Sequence, residues 1–343
     1  MGDCNGLRFT AALCAFLIAG SGASSDAAAE EVERADVVDV DGAQLFVELR
    51  AADAAAPILL WLHGGPGGAE RPLFRQFNGD LERDFVVAYL DQRGAGRSFD
   101  ADADPAKLTI PQHLQDLDRV IDHLRESFGK RRVGLVGHSW GSALGLLYAA
   151  EHPEKVSAFV GVAQAVATRE AQERELAFLH AEAEQRDDEE ALVALKEIGP
   201  APYDDVDEVL SAERLTERYG GLFHRPPNRW SIVLRGLWRG DATPWELYRI
   251  IRGNRVSLEA MLAELLTLDL RASVPRVSVP VCMLLGRHDR HADAKLAEEY
   301  FLQLAAPKKT LVWFDESAHN VPFEEPERFN AEVRGCLSDS SRR

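Results

Sequence analysis

The chain has 343 residues, 46% of them apolar and 28% charged, with a formal net charge of −17. That composition is the ordinary globular range, and the length allows one large domain with an insertion, or two domains. The acidic excess argues against a nucleic-acid partner, since phosphate binding needs clustered Lys and Arg.

The first residues differ in character from the rest. An apolar run from Phe9 to Ala19 follows Arg8, too short to span a bilayer. The small residues Ser21-Gly22-Ala23 and Ala27-Ala28-Ala29 follow it, where a signal peptidase would cut. A signal peptide is therefore expected over 1–29, and with it a secreted or periplasmic protein; a leader that does not function as a signal would leave the protein cytoplasmic. Cys4 and Cys14 fall in this leader. Cys282, in an apolar strand, and Cys336, near the end, have no Cys or His at metal-ligand spacing. Both are read as buried thiols, a disulfide between them being allowed but not suggested, and no metal is expected.

From about Val37 short apolar strands alternate with helical stretches, the pattern of an α/β fold with a mainly parallel sheet. Strands are expected at 57–62, 85–90, 133–137, 156–162, 279–286 and 309–314. Leu114, Leu117, Ile121, Leu124 and Phe128 recur at helical spacing over 111–128, and Gly129 stops that helix. Residues 166–272 break the rhythm. They are rich in Glu, Arg, Ala and Leu and carry no convincing strand, so they read as a helical cap inserted between two core portions, 30–165 and 273–343.

Strand 133–137 runs into Gly-His-Ser-Trp-Gly (137–141) and then into a helix. A serine on so tight a strand-to-helix turn takes strained backbone angles, and the strand and helix approach closely enough to demand glycine at 137 and 141. The result is an exposed Ser139 hydroxyl with the Trp140 N–H beside it on a helix N-terminus. A serine nucleophile needs a base, and the base needs an orienting acid. "GRHDRHAD" follows the strand at 279–286 and "DESAHN" follows the strand at 309–314, giving the order Ser139, Asp289, His319. Asp293 is the reserve acid, and His288, His291 and Asp315 lie close by. "HGGPGG" (63–68) follows an early strand, and its Gly65 N–H is expected to complete an oxyanion hole with that of Trp140. In "LDQRGAGRS" (90–98), Asp91, Arg93 and Arg97 are read as a salt-bridged loop that fixes its neighbours. His63 and His138 are read as packing or supporting residues.

Taken in order, "HGGPGG", "DQRGAGRS", "GHSWGS", "GRHD" and "SAHN" resemble the α/β-hydrolase fold and, within it, the proline iminopeptidase family of serine peptidases. The resemblance covers about 40–165 and 274–335. It implies the triad Ser139–Asp289–His319, an oxyanion hole near Gly65 and Trp140, a helical cap, release of an N-terminal residue (often proline) and no cofactor. It also implies cap carboxylates that hold the free α-amino group. Here Trp245 and Glu246 in "TPWELYR" are the nearest match, with Gly64 as a further substrate contact and Glu173 and Glu175 as weaker candidates. A carboxylesterase or lipase-like hydrolase with the same triad is the alternative, its acyl pocket lined by residues such as Phe223, Trp230 and Trp238. The substrate is thus a small peptide or an ester. A non-catalytic small-ligand binder is a third reading, and neither a membrane span nor an oligomeric state is implied.

Overall fold

The computed structural model describes residues 30–225 and 243–338 and, between them, Leu234 and Trp238. The expected leader and Trp230 lie outside the described residues.

Eight strands form one sheet in the order β1-β2-β4-β3-β5-β6-β7-β8. β1 (Val32–Val40) and β2 (Ala43–Ala51) form an antiparallel hairpin, and β2 also runs antiparallel to β4 (Val86–Leu90). The remaining pairings, through β3 (Ile58–Leu62), β5 (Val133–His138), β6 (Val156–Val162), β7 (Val281–Gly286) and β8 (Lys309–Phe314), are all parallel. The central strands are unbroken apolar runs because helices cover both faces of the sheet. In β3, for example, Leu60 and Leu62 point into one apolar cluster while Leu59 and Trp61 point into the other. Helices α2 (Ile110–Phe128) and α3 (Trp140–Glu151) pack on the first face. Helix α1 (Arg71–Asn78) packs on the second. Gly129 closes α2 in the left-handed conformation, φ 61°.

Between β6 and β7 the described residues are helical: α4 (Thr168–Gln185), α5 (Glu189–Ile198), α6 (Val206–Arg218), α7 (Pro244–Leu265) and α8 (Leu270–Ser273). The first three enclose a separate small core around Leu179, Leu195, Tyr203 and Leu215. After β7 come α9 (Ala294–Gln303), then β8, α10 (Val321–Glu324) and α11 (Pro326–Ser338).

Cys282 and Cys336 correct the sequence reading. They are bonded to each other, tying β7 to α11 across a separation of 54 residues. Sequence spacing gave no hint of the pair. The partners meet because α11 folds back across the sheet and brings Leu337 beside β5 and Cys336 beside β7.

Candidate active site

The loops following β3, β4, β5, β7 and β8 gather at the carboxyl edge of the sheet, where open α/β sheets bind ligands. Ser139 stands at the end of β5 with φ 52° and ψ −120°, one of four non-glycine residues with positive φ among those described. Such a conformation survives only when its surroundings over-determine it. The two glycines supply that restraint: a Cβ on Gly137 would collide with the Gly141 carbonyl, and a Cβ on Gly141 with the Leu62 carbonyl. The Ser139 N–H donates to Val162 O (3.0 Å), and its own carbonyl accepts from Ser142 N–H (2.9 Å) as the first bond of α3. Ser139 is partly exposed, and a Cβ on Gly64 would sit 3.3 Å from the Ser139 Cβ, so the glycine-rich loop lies directly against the serine.

His319 Nδ1 and Asp289 Oδ2 are 3.0 Å apart, both groups buried. The other Asp289 oxygen accepts from the backbone N–H groups of His291 (2.9 Å) and Ala292 (3.0 Å). Burial alone would raise the Asp289 pKa, but the facing His319 and these donors hold it below the ordinary carboxylate value. Burial lowers the pKa of His319 and outweighs the pull of Asp289, so this ring is neutral at pH 7, the state a general base needs. Asp293 does not compete as the acid. It caps α9, its Oδ1 accepting from Leu296 N–H (2.7 Å) and pairing with Arg174 (3.1 Å).

Two imidazole–carboxylate pairs flank the His319 ring. On one side the His138 ring centroid is 5.0 Å away, with Nδ1 2.7 Å from Glu70 Oε1 and Nε2 3.1 Å from the His319 carbonyl. Both partners can accept a hydrogen bond, an arrangement that favours the charged form of the ring. Its raised pKa agrees: Glu70 overcomes the opposing effect of burial. On the other side His291 packs edge to face on His319 with centroids 5.0 Å apart, and its Nδ1 lies 3.0 Å from Glu175 Oε1 of α4. The arrangement therefore gives His138, which sequence reasoning left as a supporting residue, a defined contact, and pairs His291, a neighbour of the acid, with Glu175, a weaker cap candidate.

The loops after β3 and β4 are stitched by Gln92, which the sequence did not single out. Its N–H donates to His63 Nε2 (3.0 Å), its side-chain amide donates to His63 O (2.9 Å), and its oxygen accepts from the Trp140 indole (3.0 Å). His63 donates from Nδ1 to Gly64 O (2.8 Å), and burial keeps the ring neutral. Arg93 forms a two-pronged pair with Asp116 (2.6 and 2.7 Å), while Asp91 accepts from Arg97 N–H (2.8 Å). The cap crosses above. Gly253 of α7 meets the Gly94 carbonyl, where a side chain would not fit, and Asn254 donates to Pro66 O (2.8 Å).

The substrate contacts expected in the cap stand differently. Glu246 is buried and already engaged: Oε1 pairs with Arg71 (2.7 Å) and Arg97 (2.6 Å), and Oε2 accepts from Thr243 N–H (3.0 Å) in a capping box. Despite the opposing effect of burial, the Thr243 N–H and the guanidiniums hold its pKa down at about 2. It is a cap-to-core clamp, and its charge is neutralised rather than left for an amine. Trp245 is 64% exposed and stacks on Tyr248 at the cap surface, and Trp238 is 89% exposed, so neither lines a pocket among the described residues. Phe223 is half-buried against the apolar cluster that holds Phe314. Of the two weaker candidates, Glu173 is exposed, whereas Glu175 is buried and paired with His291, whose ring packs on that of His319. Among the described residues no cluster of three or more His, Cys, Asp or Glu is placed to hold a metal ion, and no helix is long and apolar enough to cross a membrane.

The family model for the α/β hydrolase fold matches residues 57–326. A probable aminopeptidase of Bacillus subtilis (strain 168), YbaC, is 27% identical over 295 residues, covering 85% of this chain and 92% of that protein. A proline iminopeptidase of Neisseria gonorrhoeae is 36% identical over 118 residues, about a third of each chain (34% and 35%). Among solved structures, a proline iminopeptidase of Mycobacterium smegmatis superposes with a TM-score of 0.67 at 21% identity, over 90% of this chain and 98% of that one.

Proposed function

Because this chain belongs to the α/β-hydrolase fold family, we propose that it is a serine hydrolase releasing N-terminal residues from small peptides, proline favoured, through an acyl-enzyme. The observation that carries the reading is the buried His319–Asp289 pair at the sheet edge to which the strained Ser139 belongs. In this mechanism Ser139 Oγ attacks the scissile carbonyl as its proton passes to His319 Nε2, and Asp289 stabilises the imidazolium that forms. The N–H groups of Gly65 and Trp140 receive the carbonyl oxygen as it becomes negative, the latter strengthened by the N-terminus of α3. His319 returns the proton to the departing amine, then activates the water that hydrolyses the acyl-enzyme. No cofactor enters these steps.

The aminopeptidase assignment draws on the relatives' names and on local charge. Glu175 and Glu213 of the cap and Asp289 of the core all act on His291 beside the base, an acidic surround suited to a free α-amine. One observation favours the esterase reading instead: Glu246 is neutralised by two arginines and Glu175 is paired with His291, so both cap acids already hold cations. A hydrolysis panel decides between them. The proposal expects turnover of prolyl-arylamide that disappears when the amine is acylated; turnover of short acyl esters with none of arylamides would establish the esterase. The Cys282–Cys336 bond joins the apolar leader in supporting a secreted or periplasmic location, because disulfides persist in oxidising compartments.

A further inference from the structure

Of the two imidazole–carboxylate pairs that flank His319, neither used by the mechanism above, one joins the cap to the core. Glu175 lies on α4 of the cap, buried, with Oε1 accepting from Thr216 Oγ1 (2.8 Å) on α6 and lying 3.0 Å from His291 Nδ1. His291 belongs to the core loop that carries Asp289, and its backbone N–H donates to Asp289 Oδ1. Its ring stands at 88° to that of His319, with centroids 5.0 Å apart. A cap carboxylate therefore fixes a core imidazole against the base.

We propose that His291, clamped by Glu175, is a positioning residue for His319. It braces the His319 ring and places a positive charge beside it, so that the base sheds its proton and becomes available at lower pH. The inference rests on the hydrolase reading and deepens it by adding a regulating element from the cap. Burial pulls the His291 pKa down, but Glu175 outweighs it and holds the value up at about 9, so the ring is charged throughout the range in which His319 titrates. The charged and titratable groups facing His291 are Glu175 on α4, Glu213 on α6, Asp289 on its own loop and His319 across from it. Those acting on His319 are Asp289, His291 and His138, and the two neighbouring histidines act in the same direction, lowering its pKa. A charge within about 4–6 Å typically moves a pKa by about 1–3 units, which makes the contribution measurable.

The test is the pH dependence of the rate at which a fluorophosphonate labels the folded enzyme, compared for wild type, His291→Gln and His291→Phe. Phe keeps a ring in contact with His319 and removes the charge, so it serves if Gln disturbs packing; thermal melting checks both variants. The expected result is an acid limb displaced upward by about one pH unit, a rate loss of about tenfold below the wild-type midpoint that shrinks toward alkaline pH. An unmoved midpoint, or a loss of equal size at every pH, overturns the proposal, because a purely structural contact would give one of those. Failure of the hydrolase reading looks different: wild-type protein would not be labelled at any pH.

Discussion

Glu246 at the start of α7 and Arg71 at the start of α1 meet in a buried ion pair 2.7 Å long. The cap is thereby fastened to the core beside the two glycine-rich loops, and Arg97 and Glu48 extend the network on either side. Removing one member of such a pair leaves a buried charge uncompensated. Glu246→Ala should therefore destabilise the protein by about 3 kcal/mol in urea unfolding. A midpoint unchanged from wild type would mean the clamp carries no net stability.

The same carboxyl makes a pH prediction. It loses its proton more readily when folded (pKa about 2) than at its ordinary value of 4.5. Its contribution is complete above pH 4.5 and is lost as the pH falls toward 2. The stability gap between wild type and Glu246→Gln should be widest near neutrality and narrow as the pH drops below 4.5. A gap that stays constant or widens in acid contradicts the assignment.

The elbow separates shape from chemistry. Ser139→Ala should fold like wild type, since alanine fits the turn, and lose up to about 10⁶ in turnover. Gly141→Ala should do the reverse first: the added methyl drives into the Leu62 carbonyl, and overpacking costs about 1–3 kcal/mol or more. Circular dichroism melts beside activity assays read both effects.

His319 must be neutral to accept a proton, and burial lowers its pKa below the ordinary 6.5. The acid limb of kcat/KM should accordingly have its midpoint below pH 6.5. A midpoint above that value would mean that Asp289 outweighs burial.

The Cys282–Cys336 bond closes a loop of 54 residues between β7 and the last helix. Its reduction, or the replacement of both cysteines by serine, should cost about 2–4 kcal/mol in chemical unfolding. Identical unfolding curves with and without a reductant would show that the bond adds nothing.

Much of this architecture was legible because the signals were local. Strands β3 to β8 are mainly apolar runs, β4, β5 and β8 followed directly by aspartate or serine, and the elbow carries its geometry in two glycines four positions apart. The hairpin of β1 and β2 was not read from the sequence. β1 is an edge strand with one wetted face, so charged residues such as Glu33, Arg34 and Asp36 dilute its apolar pattern. Long-range pairing was the other blind spot. Nothing in the residues near Cys282 points to Cys336, and nothing in "TPWELYR" shows that Glu246 faces two arginines more than 140 positions away. Glu175 stands in the sequence only as a weaker cap candidate and His291 only as a neighbour of Asp289, for the same reason: nothing local shows that the two pair when the cap folds over the loop that bears Asp289.

The central claim is that Ser139 is the nucleophile, and covalent labelling tests it most directly. Folded protein treated with a fluorophosphonate, digested and analysed by mass spectrometry should carry one adduct, on Ser139, with prolyl-arylamide turnover lost in proportion and neither event seen in Ser139→Ala. Active enzyme whose adduct maps to another residue, or a Ser139→Ala protein that still turns over substrate, would contradict the account.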